Sequence, residues 1–397
     1  MRILVECTHV FDNPFMNTGI QRVVKNIISQ LKDVESEIDC IPVILKNNKV
    51  YEVIHIEPPE KMDLIPLCRE RLEKGKRRYW AMHLGLERRW QLSRWPVLQK
   101  LLLKGVTVAG LWYMVPKAIL MLLSYYIVSN ERALEFTVNS DDTLLLLDSS
   151  WNGDGAPIVE RLKQEGISIV SVFYDLIPIT HPQFCDANLV RTYKAWFAWV
   201  QGIADGFVAI SETIRDELKG TLEVSMGKAG VDKLFFDYFY LGCELSGANE
   251  ENEISSKVLS LYSVDESVYL MVGTIEPRKN HHHLLDVFDE LWAKGEKFRL
   301  CFVGGVGWKC QDLIDRVEHH EYLNDRLYMF NDLGDTNLAY CYKHARALIF
   351  PSFVEGFGLP LVEAMQWGAP VMASDIPVLE RYVRNMRHTL TCQILLV

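Results

Sequence analysis

The stretch "PSFVEGFGLPLVEAMQWGAPVMAS", Pro351 to Ser374, carries two glutamates, Glu355 and Glu363, eight positions apart around a Gly-x-Gly. The strand "ALIFPS" (347–352) runs into the loop "FVEGFG". The helix "LPLVEAMQW" follows, with Pro360 in its first turn and Gly368 as its stop. "PVMAS" (370–374) reads as the next strand. Strand, glycine loop, helix and strand form a βαβ unit, the element of a parallel, doubly wound sheet. In such sheets ligands sit beyond the carboxyl ends of the strands. Gly356 and Gly358 let the backbone approach a ligand there, and the free N–H groups of the helix start favour a phosphate. Two carboxylates beside an anion site suit a ligand carrying hydroxyls next to its phosphates, because carboxylates accept strong hydrogen bonds from OH groups. An acid early in a helix also complements its dipole. For Glu363 alone this plainer reading stands beside the functional one.

The same rhythm extends in both directions. Upstream, "VYLMVG" (268–273), "FRLCFVG" (298–304) and "RLYMF" (326–330) read as strands, with helices over 281–294, 310–319 and 335–345. Further back, strands are expected at 2–10, 40–45, 143–148, 168–173 and 206–210. The helix "GIQRVVKNIISQLK" sets Ile20, Val23, Val24, Ile27, Ile28 and Leu31 on one face. The fold class is therefore α/β, with two Rossmann-like doubly wound domains facing across a cleft. The expected boundaries are 1–232, a polar connector at 233–256, and 257–397. A helical insertion interrupts the first domain at about 60–135.

Bulk composition narrows the function. The net charge of −10 excludes a general nucleic-acid binder. The nine cysteines are scattered without a CxxC pair, which argues for a reducing compartment and against a zinc site. No signal-peptide pattern precedes "RILVEC", so a cytoplasmic protein is expected. The charge is uneven, however. From Arg69 to Lys104 eleven Lys and Arg face three Glu, with Trp80, Trp90 and Trp95 interleaved. The apolar run 106–128 follows, broken by Pro116 and Lys117 in its middle. This pattern over residues 69–128 suits a surface lying on an anionic membrane. A buried helix pair with a solvated basic face is the alternative.

An anion site also needs cations. "GTIEPRKN" (273–280) sets Arg278 and Lys279 between a strand and a helix, on the same carboxyl edge. A planar fork beside a point charge suits a diphosphate, although Arg-Lys in a loop is more often only solvated surface.

Together, "EGFGLPLVE", "EPRKN" and "TGIQRVV" resemble retaining glycosyltransferases of the GT-B type, and more narrowly glycosyltransferase family 4, which includes bacterial polysaccharide mannosyltransferases. The resemblance is specific over 268–383 and looser over 2–31 and "VFYDLIPITHPQF" (172–184). It implies that Glu363 holds the ribose of a nucleotide-sugar donor and that Glu355 contacts the sugar near the reacting carbon. Arg278 and Lys279 would neutralise the leaving diphosphate, helped by the backbone of Gly358 and Leu359. Gly19 would bring the first domain's loop to the same phosphates, with Arg22 near it. It also implies retention of configuration, no metal or other cofactor, and a lipid-linked glycan acceptor at the inner face of the plasma membrane, in surface-polysaccharide (O-antigen) synthesis.

The chain departs from that pattern in three places. Thr274 follows Gly273 where many relatives have Arg. Tyr174-Asp175 stands where many have His-Asp, so Asp175 is the catalytic candidate there and His181 an open one. After "SDIPVLERYV" the tail "RNMRHTLTCQILLV" lacks the family's continuation, and an early end of the second domain is expected. Two other functions follow as alternatives: a truncated, catalytically impaired protein that only binds nucleotide or membrane, and a same-fold enzyme such as a nucleotide-sugar epimerase.

Overall fold

Strand β1 (Arg2–Glu6) gives way at once to a one-turn helix α1 (Thr8–Asp12), so the strand expected over 2–10 stops at Glu6. The apolar Val10 and Phe11 are buried through that turn, and the Val10 N–H donates to Asp148 at 2.6 Å. The computed structural model describes residues 2–14, 16, 18–31, 38–56, 132–242, 254–379 and 394–396. The basic, tryptophan-bearing stretch 69–128 and most of the tail after Leu379 lie outside the described residues.

Helix α2 (Gly19–Gln30) forms where the apolar spacing places it and buries Val23, Val24 and Ile28. Strands β2 (Asp39–Lys46) and β3 (Lys49–Val53) make an antiparallel hairpin that the sequence reading missed. Its signal was Asn47-Asn48: both take positive φ, 50° and 58°, as a two-residue primed turn requires. Strand β4 (Ala133–Glu135) pairs with β3, so the last residues assigned to a helical insertion are instead a sheet edge. Then come β5 (Thr143–Leu146), α3 (Ala156–Gln164), β6 (Ser168–Phe173), α4 (Ile177–Thr180), α5 (Ala187–Ile203), β7 (Gly206–Ala209), α6 (Glu212–Met226), α7 (Lys228–Val231) and β8 (Phe235–Tyr238). The sheet order is β4-β3-β2-β1-β5-β6-β7-β8, parallel from β2 onward. Four residues of the expected connector therefore belong to the first sheet, as β8.

The second unit runs α8 (Ser256–Leu261), β9 (Val268–Val272), α9 (His281–Ala293), β10 (Arg299–Val303), α10 (Gln311–Glu318), β11 (Leu327–Phe330), α11 (Asp335–His344), β12 (Ala347–Phe350), α12 (Leu359–Gln366), β13 (Val371–Ala373) and β14 (Ile394–Leu396). Its six strands are all parallel, in the order β11-β10-β9-β12-β13-β14. Helices on both faces explain why every residue of β10 is buried. In the first domain Phe173 packs against the rings of Trp196, Phe197 and Phe207, which fastens α5 onto β6 and β7. Each such large apolar side chain contributes about 1.5–3 kcal/mol on burial. Among the described residues no helix is long and apolar enough to cross a membrane.

The order of each sheet reverses once, between β1 and β5 and between β9 and β12. Crevices form at such reversals because the flanking loops leave toward opposite faces. The loop after β9 carries Arg278 and Lys279; the loop after β12 carries Glu355.

Candidate active site

Glu355 leaves β12 into the reversal crevice and is buried there. It accepts from Arg278 Nη1 at 2.8 Å and from Lys279 Nζ at 2.6 Å. Arg278 also meets Glu276 at 2.6 Å and donates to the Val354 carbonyl at 3.1 Å. The Phe353 N–H returns a bond to the Arg278 carbonyl at 2.9 Å, tying the two loops together through the backbone. Lys279 stands 4.8 Å over the Phe350 ring.

Electrostatics follow from this packing. Burial alone would raise the Glu355 carboxyl, but Arg278 and Lys279 outweigh it and hold it at about 2. Burial pulls Lys279 below its usual value despite Glu355 beside it. Arg278 rises, since Glu355, Glu276 and Asp175 overcome its desolvation. Burial lifts Glu276 and Asp175 against the pull of Arg278. Two cations thus serve three carboxyls, Glu355 held firmly ionised and Glu276 and Asp175 raised by burial.

Asp175 reaches this cluster from the other domain, at the carboxyl end of β6. Its side chain accepts the Ile177 N–H at 3.0 Å, and its carbonyl accepts the Tyr193 hydroxyl at 2.6 Å. A Cβ added to Gly356 would lie 2.2 Å from the Tyr174 carbonyl oxygen, so only glycine admits this approach between domains. The sequence reading gave Gly356 to ligand approach; in the structure it is the backbone of Tyr174 that comes close. Gly358 has φ +91°, the left-handed start of α12 that Leu359 then enters.

Glu363 lies in the second turn of α12 and is 1% exposed. The Tyr342 hydroxyl donates to it at 2.8 Å, and Arg22 from α2 stands 2.9 Å from its other oxygen. That contact is an ion pair without aligned hydrogen-bond geometry, as this oxygen has no hydrogen-bond partner. A buried acid with these partners is not dipole trim. Gly19 opens α2, and a Cβ there would meet nothing within 4 Å, so the protein's own packing does not demand glycine.

Residues 257–392 match the family described as glycosyl transferases group 1. The C-terminal domain is a group 1 glycosyltransferase domain. The chain is 31% identical over 230 residues to the serotype-specific mannosyltransferase WbdA of Escherichia coli, covering 57% of this chain and 28% of that protein. It is 28% identical over 238 residues to O-antigen chain mannosyltransferase B of Escherichia coli, covering 59% of each. The chain thus spans less than two thirds of these relatives. Sucrose-phosphate synthase from Thermosynechococcus elongatus superposes over 100% of this chain and 86% of its own, with a TM-score of 0.55 at 15% identity. The fold is GT-B.

Within this glycosyltransferase fold, Glu355, Arg278, Lys279 and Asp175 converge on one cluster, while Glu363 and Arg22 form a second, neighbouring contact. His181 sits apart: its Nδ1 contacts the Thr180 hydroxyl at 2.9 Å and its ring stacks on Phe184, which stacks on Phe353 across the cleft. Residue reading missed Glu276 and Tyr342, although Glu276 stood inside the quoted "GTIEPRKN". It also missed Trp308, whose indole N–H donates to the Phe184 carbonyl at 2.7 Å and bridges the domains. Among the described residues no group of three or more His, Cys, Asp and Glu is placed to hold a metal ion.

Proposed function

We propose that the chain transfers a hexose, mannose from GDP-mannose, onto a lipid-linked surface-polysaccharide acceptor at the cytoplasmic membrane face, with retention and without metal. The observation that carries this reading is Glu355, held ionised between Arg278 and Lys279 and facing Asp175 across the cleft. The mannosyltransferase names of the relatives support the sugar.

In this reading the N-terminal domain receives the acceptor and the C-terminal domain the donor. Glu363 accepts the ribose hydroxyls, with the Tyr342 hydroxyl fixing its orientation. Arg278 and Lys279 stabilise charge that grows on the diphosphate as the bond from the anomeric carbon breaks. Their present carboxylate partners keep them in place, so little reorganisation is needed when phosphate oxygens arrive. The α12 N-terminus at Gly358 and Leu359 and the α2 start at Gly19 add backbone N–H groups. The acceptor oxygen bonds to the anomeric carbon on the face the diphosphate leaves, and its proton passes to a departing phosphate oxygen. Glu355 orients sugar hydroxyls, and Asp175 lies where the acceptor hydroxyl enters.

The basic stretch 69–128 would hold the protein on anionic lipid, which flotation with phosphatidylglycerol vesicles tests. Incubation with labelled GDP-mannose and membranes should release GDP and label a glycolipid; no turnover of any donor in a nucleotide-sugar panel would sink the proposal. A nucleotide-binding protein without turnover is the second reading. It is favoured by Arg278 and Lys279 being already paired with carboxylates, and calorimetric GDP binding without turnover would establish it.

A further inference from the structure

The first sheet has its own reversal crevice, between β1 and β5, which the donor site does not use. It holds a cavity of about 220 Å³ whose lining includes Glu6, His9, Asn13, Ser150, Asn152 and Trp199. This is below the roughly 300–1,000 Å³ of sites for drug-sized ligands, so it suits one ring rather than two.

Glu6 ends β1 and is 3% exposed. Its Oε1 accepts the Thr8 N–H at 2.7 Å, whereas Oε2 is buried with no partner. The Ser150 hydroxyl on the same lining is also buried with no partner. Leaving such groups unpaired costs about 1–3 kcal/mol each. A carboxyl that accepts and a hydroxyl that donates match a ligand made of hydroxyl groups. Trp199 is fixed by its indole N–H donating to Glu160 at 2.8 Å, and it supplies the flat apolar wall that the C–H face of a sugar ring covers.

The charge of the site selects further. Asp148 lies beside Glu6 with its oxygens taken by the N–H groups of Val10 and Ser149, and Asp12 stands on the lining, ion-paired with Lys46. Among the described residues no Lys or Arg lines the cavity. A phosphate or carboxylate would find no cationic partner on this lining. Burial, with Asp148 adding to it, pushes Glu6 up to about 7, so the site is also poorly charged for holding a cation.

Strand register connects the cavity to the reaction. Glu6 pairs with Leu146 and Leu146 with Ser171, so the ends of β1 and β6 lie two strand spacings apart, about 10 Å. Tyr174 closes the gap, its hydroxyl donating to the Leu147 carbonyl at 2.9 Å, and Asp175 follows it.

We propose that this cavity seats one uncharged, hydroxyl-rich sugar ring, with Glu6 and Ser150 taking its hydroxyls and Trp199 its apolar face, and that it turns away phosphorylated or acidic rings. This rests on the glycosyltransferase reading and deepens it: the unit receiving the transferred sugar is a neutral glycan terminus.

The test titrates the full chain with methyl α-mannopyranoside and with mannose 6-phosphate by saturation-transfer NMR, beside a separate calorimetric titration with GDP. Methyl α-mannopyranoside binds at least tenfold more tightly than mannose 6-phosphate. Glu6→Leu weakens it roughly tenfold, Ser150→Ala roughly threefold, and Glu6→Gln, which keeps an accepting oxygen, stays within about threefold. Should Glu6→Leu fail to fold, Ser150→Ala and the comparison of the two sugars still decide. Equal binding of the two sugars, or binding unchanged in the Leu and Ala variants, overturns the proposal. Loss of GDP binding with the sugar pattern intact overturns the donor reading and leaves the cavity standing; the converse result removes the cavity alone.

Discussion

Replacing Glu355 by Gln keeps the shape of the loop and removes one charge from the centre of the cluster. The Glu355 carboxyl, ordinarily near 4.5, is held at about 2. At about 1.4 kcal/mol per pH unit, its environment favours the ionised form by roughly 3 kcal/mol. The side chain is buried, so solvent screens little of this, and removing one member of a buried ion pair commonly costs about 3–5 kcal/mol. Lys279 is left without its carboxylate partner in a place where burial already disfavours its charge. Differential scanning calorimetry at pH 7 should show the variant melting roughly 6–12 °C lower, at about 2–4 °C per kcal/mol. The pH dependence carries the sign. A depressed carboxyl contributes in full above its unfolded value of 4.5 and loses that contribution as pH falls through about 2. The gap between wild type and variant should therefore stay constant from pH 8 to 5 and shrink below 4.5. A variant melting within 2 °C of wild type at pH 7, or a gap that widens toward pH 3, would refute the ion-paired assignment.

The same substitution separates binding from chemistry. With Arg278 and Lys279 relieved of Glu355, GDP should bind several-fold more tightly in calorimetry while sugar transfer falls at least a hundredfold; weaker GDP binding would mean that the cations do not face the phosphates. Arg22→Met removes the ion pair to Glu363 and should raise the radius of gyration measured by small-angle X-ray scattering; an unchanged profile would deny Arg22 a part in closure. Gly356→Ala puts a methyl group 2.2 Å from the Tyr174 carbonyl, so steady-state transfer should fall at least tenfold, and native activity would mean that the contact is absent from the reacting state.

Much of the second domain was legible because its strands are continuous apolar runs with glycine and proline at their ends. β9, β10 and β12 fall within a residue or two of where those runs place them. That Arg278, Lys279 and Glu355 would share one sheet edge was legible for a related reason: charges inside such loops, at the end of a buried strand, have few structural uses. β3 and β4 were not, since a short edge hairpin carries little periodicity and Asn47-Asn48 resembles any polar turn. β8 was hidden because "FFDY" adjoins a polar connector, and as a half-exposed edge strand it is held by pairing with β7 rather than by a buried apolar pattern of its own. Partnerships between domains were the least visible. Nothing local in "GIQRVV" says that Arg22 reaches Glu363, 341 positions later, or that Tyr342 will orient the same carboxylate. Acids that end apolar strands, Glu6 in "RILVE" and Asp148 in "TLLLLD", carried a signal that a reading centred on glycine loops passed over.

The contacts across the cleft set a scale for turnover. Arg22 meets Glu363, the Trp308 indole meets the Phe184 carbonyl, Lys309 meets the Gln183 carbonyl at 3.2 Å, and Ser211 approaches the Gly356 carbonyl at 3.5 Å, beside the stack of Phe184 on Phe353. At about 0.5–1.5 kcal/mol each, these polar and ring contacts among the described residues contribute a few kcal/mol to holding the two halves together. An open form within that range is populated at roughly 0.1–10%, which one ligand's preference can reverse. On the proposed reading, the donor enters and the spent nucleotide leaves as these contacts part, and release then competes with chemistry for the slow step. A Trp308→Phe protein that turns over faster while holding its donor more weakly would be the signature of that balance.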